Sequence, residues 1–113
     1  MSKPISHREQ VTLPVGYEDP ATGDIHQDAE VRAVTGGDEL FIGMSPEYNK
    51  NPNDLVYKTL LLSRTVMRLG PRTLVTIHDI SNLHAQDIRA LEYAVYRITY
   101  GEDAVPDDPG PGG

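Results

Sequence analysis

The sequence predicts an α+β domain in which an N-terminal antiparallel β-hairpin packs on a small bundle of three to four helices. Two stretches of alternating apolar and polar residues, separated by a segment rich in turn formers, predict the hairpin. The rest of the chain carries apolar residues at helical spacing, with candidate capping residues before each run. A chain of 113 residues has room for one such domain with its own core.

The predicted hairpin covers residues 10–34. Val11, Leu13 and Val15 alternate with polar residues in its first strand, and Pro14 favours a sheet edge because proline cannot donate to a strand ladder. After the turn, the second strand places these residues on its apolar side: Ile25, Ala29, Val31 and Ala33. A lone hairpin is marginally stable in water, so we expect its apolar face to lie on the helices.

Four helices are predicted after the hairpin, at about 37–44, 53–69, 77–83 and 85–100. Thr35, Asn53 and Thr76 are the expected caps of the first three, and Thr76 with Asp79 resembles a capping box. The second helix is expected to end at Gly70, as a C′ glycine followed by proline, and the segment between the first two helices is expected to be a loop. The last helix, closed by Gly101, carries a core stripe at spacings of three and four: Ile88, Leu91, Val95 and Ile98.

Both termini differ in composition from the predicted domain, which covers residues 10–101. Residues 1–9 are expected to form a flexible arm, and residues 102–113 a disordered acidic tail rich in proline and glycine. The arm has no apolar stretch typical of a signal peptide, and no apolar run is long enough to span a membrane. Since the chain also has no cysteine, we expect a cytoplasmic protein without disulfides.

No residue pattern predicts catalysis, a cofactor site or a metal site. His78 and His84 are six residues apart, which matches no known metal motif. The serines include no nucleophile elbow. Gly36-Gly37 precedes a helix, but the two acidic residues that follow would repel a phosphate. We therefore expect a protein that is not an enzyme.

The charge balance disfavours nucleic acid as a partner. The net charge is −7, and four of the negative charges lie in the predicted tail, whereas nucleic-acid binders need a clustered basic field. Arg64 and Arg68 are expected one turn apart on the second helix, as a small basic patch. Four interpretations of these two arginines remain open: a solvated face, pairing with acidic residues, a contact with a protein partner and a DNA-associated role.

Three tyrosines follow one another on the last predicted helix, beside its core stripe. Tyr93, Tyr96 and Tyr100 are spaced by three and four residues. Tyrosine suits surfaces that alternate between wet and buried states, because its ring packs while its hydroxyl stays hydrogen-bonded. The rings either cover the domain's own core or form a contact surface for a protein partner. We predict that they bind a partner together with Arg64 and Arg68.

Several motifs follow one another in order along residues 10–100. The first three are Thr12–Tyr17 (TLPVGY), Gly23–His26 (GDIH) and Thr35–Glu39 (TGGDE). Further along come Asn51-Pro52, Leu60–Gly70, Asp87–Glu92 and Tyr96–Ile98. In this order they resemble the small tail assembly proteins of contractile-tailed phages and of related phage-tail-like injection particles. The stretch Phe41–Tyr48 and the C-terminal tail depart from that pattern.

This resemblance implies a non-enzymatic chaperone or adaptor in the cytoplasm of the producing bacterium. The implied partners are tail tube, tape-measure or baseplate proteins, bound before or during assembly, with no nucleic acid and no membrane involved. A permanent structural subunit of the baseplate or tube is the alternative. The tyrosine stripe and the edge of the hairpin, which can accept a partner strand, are the expected contact surfaces.

Overall fold

The computed structural model describes residues 8–101 and has the predicted α+β architecture. Its elements are, in order, β1 (Arg8–Glu18), β2 (Ile25–Arg32), α1 (Gly36–Gly43), α2 (Pro46–Lys50), α3 (Asp54–Thr65), β3 (Val66–Leu69), α4 (Ile77–Ser81) and α5 (Ala85–Tyr100). Strand β1 begins inside the segment predicted as an arm. The rest of that arm and the predicted acidic tail lie outside the described residues. None of the helices in residues 8–101 is long and apolar enough to cross a membrane.

The sheet is antiparallel and has the strand order β1-β2-β3, so β1 lies at an edge, as Pro14 predicts. The register between β1 and β2 shifts between Thr12 and Tyr17. Because of this irregularity the predicted alternation fails in the second half of β1. Leu13 and Tyr17 are buried as the pattern requires, but Val15 is exposed.

The predicted helix at 53–69 is wrong in its last turn. Helix α3 ends at Thr65, and β3 follows without an intervening loop. Strand β3 pairs antiparallel with β2, with Leu69 opposite Ala29. Pairing with the sheet therefore overrides the helical propensity of this segment. Gly70 consequently follows a strand, and its N–H donates to the Asp28 carbonyl of β2 at 2.8 Å.

The structure has one helix that was not predicted, and one predicted helix ends earlier than expected. Ser45 caps the short helix α2, in the region predicted as a loop, by accepting a hydrogen bond from the N–H of Tyr48. Helix α4 ends at Ser81, two residues earlier than expected. The predicted caps Thr35, Asn53 and Thr76 are confirmed, and Thr35 and Thr76 each form a capping box with an aspartate three residues on.

The core lies between the inner face of the sheet and the helices. Helix α5 packs on β1 and β2, and α3 and α4 pack on one another. The predicted stripe of α5 faces this core, with Leu91 and Val95 buried and Ile88 packed against them. Each fully buried aliphatic side chain contributes roughly 1.5–3 kcal/mol to folding. Because the core stripe of α5 faces inward, the face of α5 that carries the tyrosines lies on the outer side of the domain.

Candidate functional site

The three predicted tyrosines lie on the surface of α5, in two different environments. Tyr96 and Tyr100 contact each other, with their ring centroids 4.8 Å apart, and line a cleft between α3 and α5. Tyr93 lies outside this cleft, beside Arg97, whose guanidinium carbon is 5.1 Å from the ring centroid. All three rings are exposed, by 51% for Tyr93, 39% for Tyr96 and 57% for Tyr100, and are therefore accessible to a partner.

The cleft, which we call the α3–α5 groove, has a volume of about 410 Å³. Its wall on α3 is formed by Tyr57, Lys58, Leu61 and Leu62. Its wall on α5 is formed by Glu92, Val95, Tyr96, Thr99 and Tyr100, and Val34 and Glu39 complete the lining. The positions recur at helical spacing on both sides. The walls of the groove are therefore faces of two helices.

The wall on α3 contains residues for which no sequence pattern predicted a role. Tyr57 and Leu61, four residues apart, remain half-buried, whereas Leu62 is buried in the floor. The ring of Tyr57 meets that of Tyr48 on α2 edge-on, at 6.0 Å and 75°. Burial raises the pKa of the Tyr57 hydroxyl, and the negative charge of Glu39 raises it further. The available sequence signal was the spacing of Tyr57 and Leu61, which lie one turn apart on the same face of α3.

The groove is apolar inside and charged at its rim. The hydroxyl of Thr99 accepts a hydrogen bond from the Val34 N–H at 3.0 Å and donates to the Val95 carbonyl at 2.6 Å, so it is used within the fold. Among residues 8–101, every buried side-chain polar atom has a hydrogen-bond partner. The groove therefore offers mainly ring and aliphatic carbon, and its charged lining residues are Glu39, Lys58 and Glu92.

Arg64, one of the two predicted basic site residues, is engaged within the fold. Its Nε lies 3.0 Å from Oδ1 of the fully buried Asp38, and its guanidinium stacks 4.3 Å from the centroid of the Phe41 ring. Arg32 of β2 donates to both oxygens of the same carboxylate at 2.8 Å. Arg64 therefore holds α1 against α3.

Arg68 lies on β3, so the predicted patch of two arginines one turn apart on a single helix is wrong. Its Nη1 donates to Asp28 Oδ2 at 2.6 Å and to the Gly70 carbonyl at 2.9 Å. Its Nη2 donates to Gln10 Oε1 at 3.2 Å. Arg68 thus spans all three strands of the sheet. Both arginines have acidic partners, which was one of the open interpretations.

The predicted strand-accepting edge is partly occupied. Asp87, fully buried in the first turn of α5, accepts hydrogen bonds from the N–H groups of Val15 at 2.8 Å and Gly16 at 2.9 Å. These two donors of β1 are therefore not available to a partner strand. The carboxylate replaces part of the pairing that an edge strand otherwise leaves open.

A second exposed apolar surface lies on α1. Leu40, Phe41 and Met44 are 64%, 46% and 71% exposed. At about 100° per residue, they lie on a different face of α1 from Glu39, which lines the groove. Phe41 and Met44 fall in the stretch Phe41–Tyr48 that departs from the resemblance described above, and no sequence pattern predicts a role for this surface.

The histidines of the described residues do not converge. His84 Nδ1 is 3.0 Å from the N–H of Gln86 and caps α5, and His78 contacts Asn82 within the short helix α4. Within residues 8–101, no group of three or more His, Cys, Asp or Glu side chains is arranged to hold a metal ion. Comparisons of the chain with protein-family models, with curated proteins and with solved structures found no match.

Proposed function

We propose that this protein is a non-enzymatic assembly factor. It acts as a chaperone or adaptor that binds tail or baseplate components while a contractile tail or tail-like particle is built, in the cytoplasm of the producing bacterium. The ordered motifs along residues 10–100 support this biological setting. The observation that carries the mode of action is the α3–α5 groove, in which tyrosine rings from both walls remain accessible on a well-packed domain.

Tyr57, Tyr96 and Tyr100 have the properties of interface anchors. A tyrosine buries a large ring at a low cost in conformational entropy, and its hydroxyl stays hydrogen-bonded at the edge of a contact. Aromatic residues are enriched in protein interfaces and dominate their binding energy. The paired rings of Tyr96 and Tyr100 face the Tyr57 wall across the groove, so an apolar side chain inserted there contacts rings on both sides.

Co-purification tests this proposal. The tagged full chain is expected to capture a tube, tape-measure or baseplate protein when it is co-expressed with the structural genes of the same particle. The variants Tyr96→Ala and Tyr100→Ala are expected to lower the affinity for the captured protein about tenfold or more, as truncation of a central aromatic anchor does. Tyr93→Ala is the matched control, since it removes the same ring from the same helix outside the groove, and it should change affinity less than about threefold.

Two results would count against the proposal. Failure of the wild-type chain to capture any component of the particle would remove the assembly role. Capture that Tyr93→Ala abolishes and Tyr96→Ala leaves intact would move the contact surface away from the groove.

The second candidate function is a permanent structural subunit of the baseplate or tube. The exposed apolar face of α1 favours it, because a subunit built into a particle has neighbours on more than one side. Mass spectrometry of purified mature particles separates the two functions. A permanent subunit is present there in stoichiometric amount, whereas a chaperone is missing.

A further inference from the structure

We infer that the α3–α5 groove receives an amphipathic α-helix of a partner protein, and that this helix carries basic residues beside its apolar anchors. The inference rests on the proposed function, because it takes the groove as the contact surface. It adds the secondary structure of the bound segment and the sign of its charge.

The walls of the groove favour a helix over an extended strand. A strand needs free backbone donors and acceptors on its receptor, as at the edge of a sheet. Here both walls are faces of α3 and α5, whose backbone groups are hydrogen-bonded within each helix. A bound helix satisfies its own backbone groups and packs its side chains between those of the two walls.

The dimensions of the groove set the length of the contact. Its lining spans residues 57–62 on α3 and 92–100 on α5. At about 1.5 Å per residue the longer wall is roughly 12 Å long, or a little more than two helical turns. A partner helix of that length places three apolar anchors in the groove, at positions i, i+3 or i+4, and i+7.

Charge at the rim favours a basic partner. Glu39 and Glu92 outnumber Lys58 among the charged lining residues, and Arg89, which lies 3.4 Å from Glu92, has a side chain that is 68% exposed, so it screens Glu92 only weakly. The whole chain has a net charge of −7, so its long-range field also attracts basic segments. Residues 102–113 of the chain carry four acidic side chains, which is the wrong sign for this rim. A separate protein therefore fits the groove better than the chain's own C-terminal segment.

Selection from a displayed library of random peptides about 16 residues long, roughly four helical turns, tests the inference without knowledge of the partner. The bait is the full-length protein, with counter-selection on its Tyr96→Arg variant and a parallel selection on Tyr93→Ala. Enriched peptides are expected to repeat apolar residues at spacings of three and four, to carry net positive charge and to gain helical circular dichroism when bound. Enrichment of proline-rich, extended or acidic peptides would overturn the inference.

Charge reversals at the rim provide a second test, in which the affinity for a selected peptide should rise or fall according to the charge that is changed. Glu39→Lys and Glu92→Lys should each weaken binding of a selected peptide roughly threefold, and Lys58→Glu should strengthen it by a similar factor. These differences should shrink at about 1 M salt, where screening is strong. Weaker binding by Lys58→Glu, or no response to any of the three reversals, contradicts a basic partner.

The outcomes separate this inference from the proposed function. If the chain captures a particle component through Tyr96 but the selected peptides are not basic helices, the inference fails and the assembly role stands. If basic helical peptides bind the groove but no particle component is captured, the assembly role fails. The inference that the groove binds basic helices then stands.

Discussion

Asp38 joins three elements through one carboxylate. It is fully buried at the first turn of α1, and it accepts hydrogen bonds from Arg32 of β2, from Arg64 of α3 and from its own capping residue Thr35. Burial by itself raises the pKa of Asp38, but the hydrogen bonds and charges of these partners outweigh burial and hold the pKa well below its ordinary range. A buried charge is tolerable only with such partners.

Replacing Asp38 with Asn is expected to lower the free energy of unfolding by about 2–4 kcal/mol, because two arginines lose their counter-charge. Asp28→Asn is the matched control. It also breaks a carboxylate–arginine pair, but the Asp28 side chain is 60% exposed, so water replaces much of the lost contact and the expected cost is much smaller. Urea denaturation of the two variants measures the difference, and equal costs would show that Asp38 contributes no more than a surface pair.

The lowered pKa of Asp38 also predicts an acid response. A carboxyl group whose pKa is lower in the folded state than its unfolded value of 3.8 stabilises the fold above that pH, and this contribution is lost as the pH falls towards the folded value. Asp79, held by Thr76 and Arg72, is shifted in the same direction. We expect wild-type stability to decline below about pH 4 and Asp38→Asn to show a shallower decline. Parallel curves of unfolding free energy against pH for the wild type and Asp38→Asn would contradict the assignment of this acid response to Asp38.

At the scale of elements, the irregular half of β1 depends on Gly16. Its φ is +119°, and an added Cβ would lie 2.5 Å from Cγ2 of Ile25. Gly16→Ala therefore combines backbone strain with a steric clash and should cost about 3 kcal/mol of unfolding free energy. Gly23→Ala is the control: its φ is also positive, at +80°, but the added Cβ would have no heavy atom within 4 Å beyond those of residue 23 and its two chain neighbours. We expect it to cost about 1 kcal/mol in thermal or urea denaturation, and an equal cost at both sites would contradict the clash.

Local signals predicted the hairpin, the caps and the core stripe of α5, because each depends on residues close in sequence. The end of α3 could not be predicted in this way. No Gly or Pro lies between Leu60 and Leu69, and the apolar spacing continues across the junction. The pairing of β3 with β2 and the bonds from Arg68 to Asp28 and Gln10, 40 and 58 residues away, favour a strand there. The same reason explains why the sequence indicated Tyr96 and Tyr100 but not the opposite wall at Tyr57.

At the scale of the whole molecule, the distribution of charge argues against DNA binding. The net charge is −7, and Arg64 and Arg68 both pair with carboxylates. We expect fluorescence anisotropy of a labelled duplex to stay flat on titration with the full chain, even at about 50 mM salt, where electrostatic binding is strong. Binding that weakens as salt is added would instead support the DNA-associated role.

Helix α3 passes directly into β3, with no residue between the two elements. Thr65 ends the helix and Val66 begins the strand, so the pairing of β3 with β2 restrains the C-terminal end of α3. The wall of the α3–α5 groove that α3 forms is therefore restrained by the sheet. If the proposed partner helix binds this groove, that wall loses little conformational entropy, and a ligand that is already helical in solution should bind more tightly than one that folds on arrival.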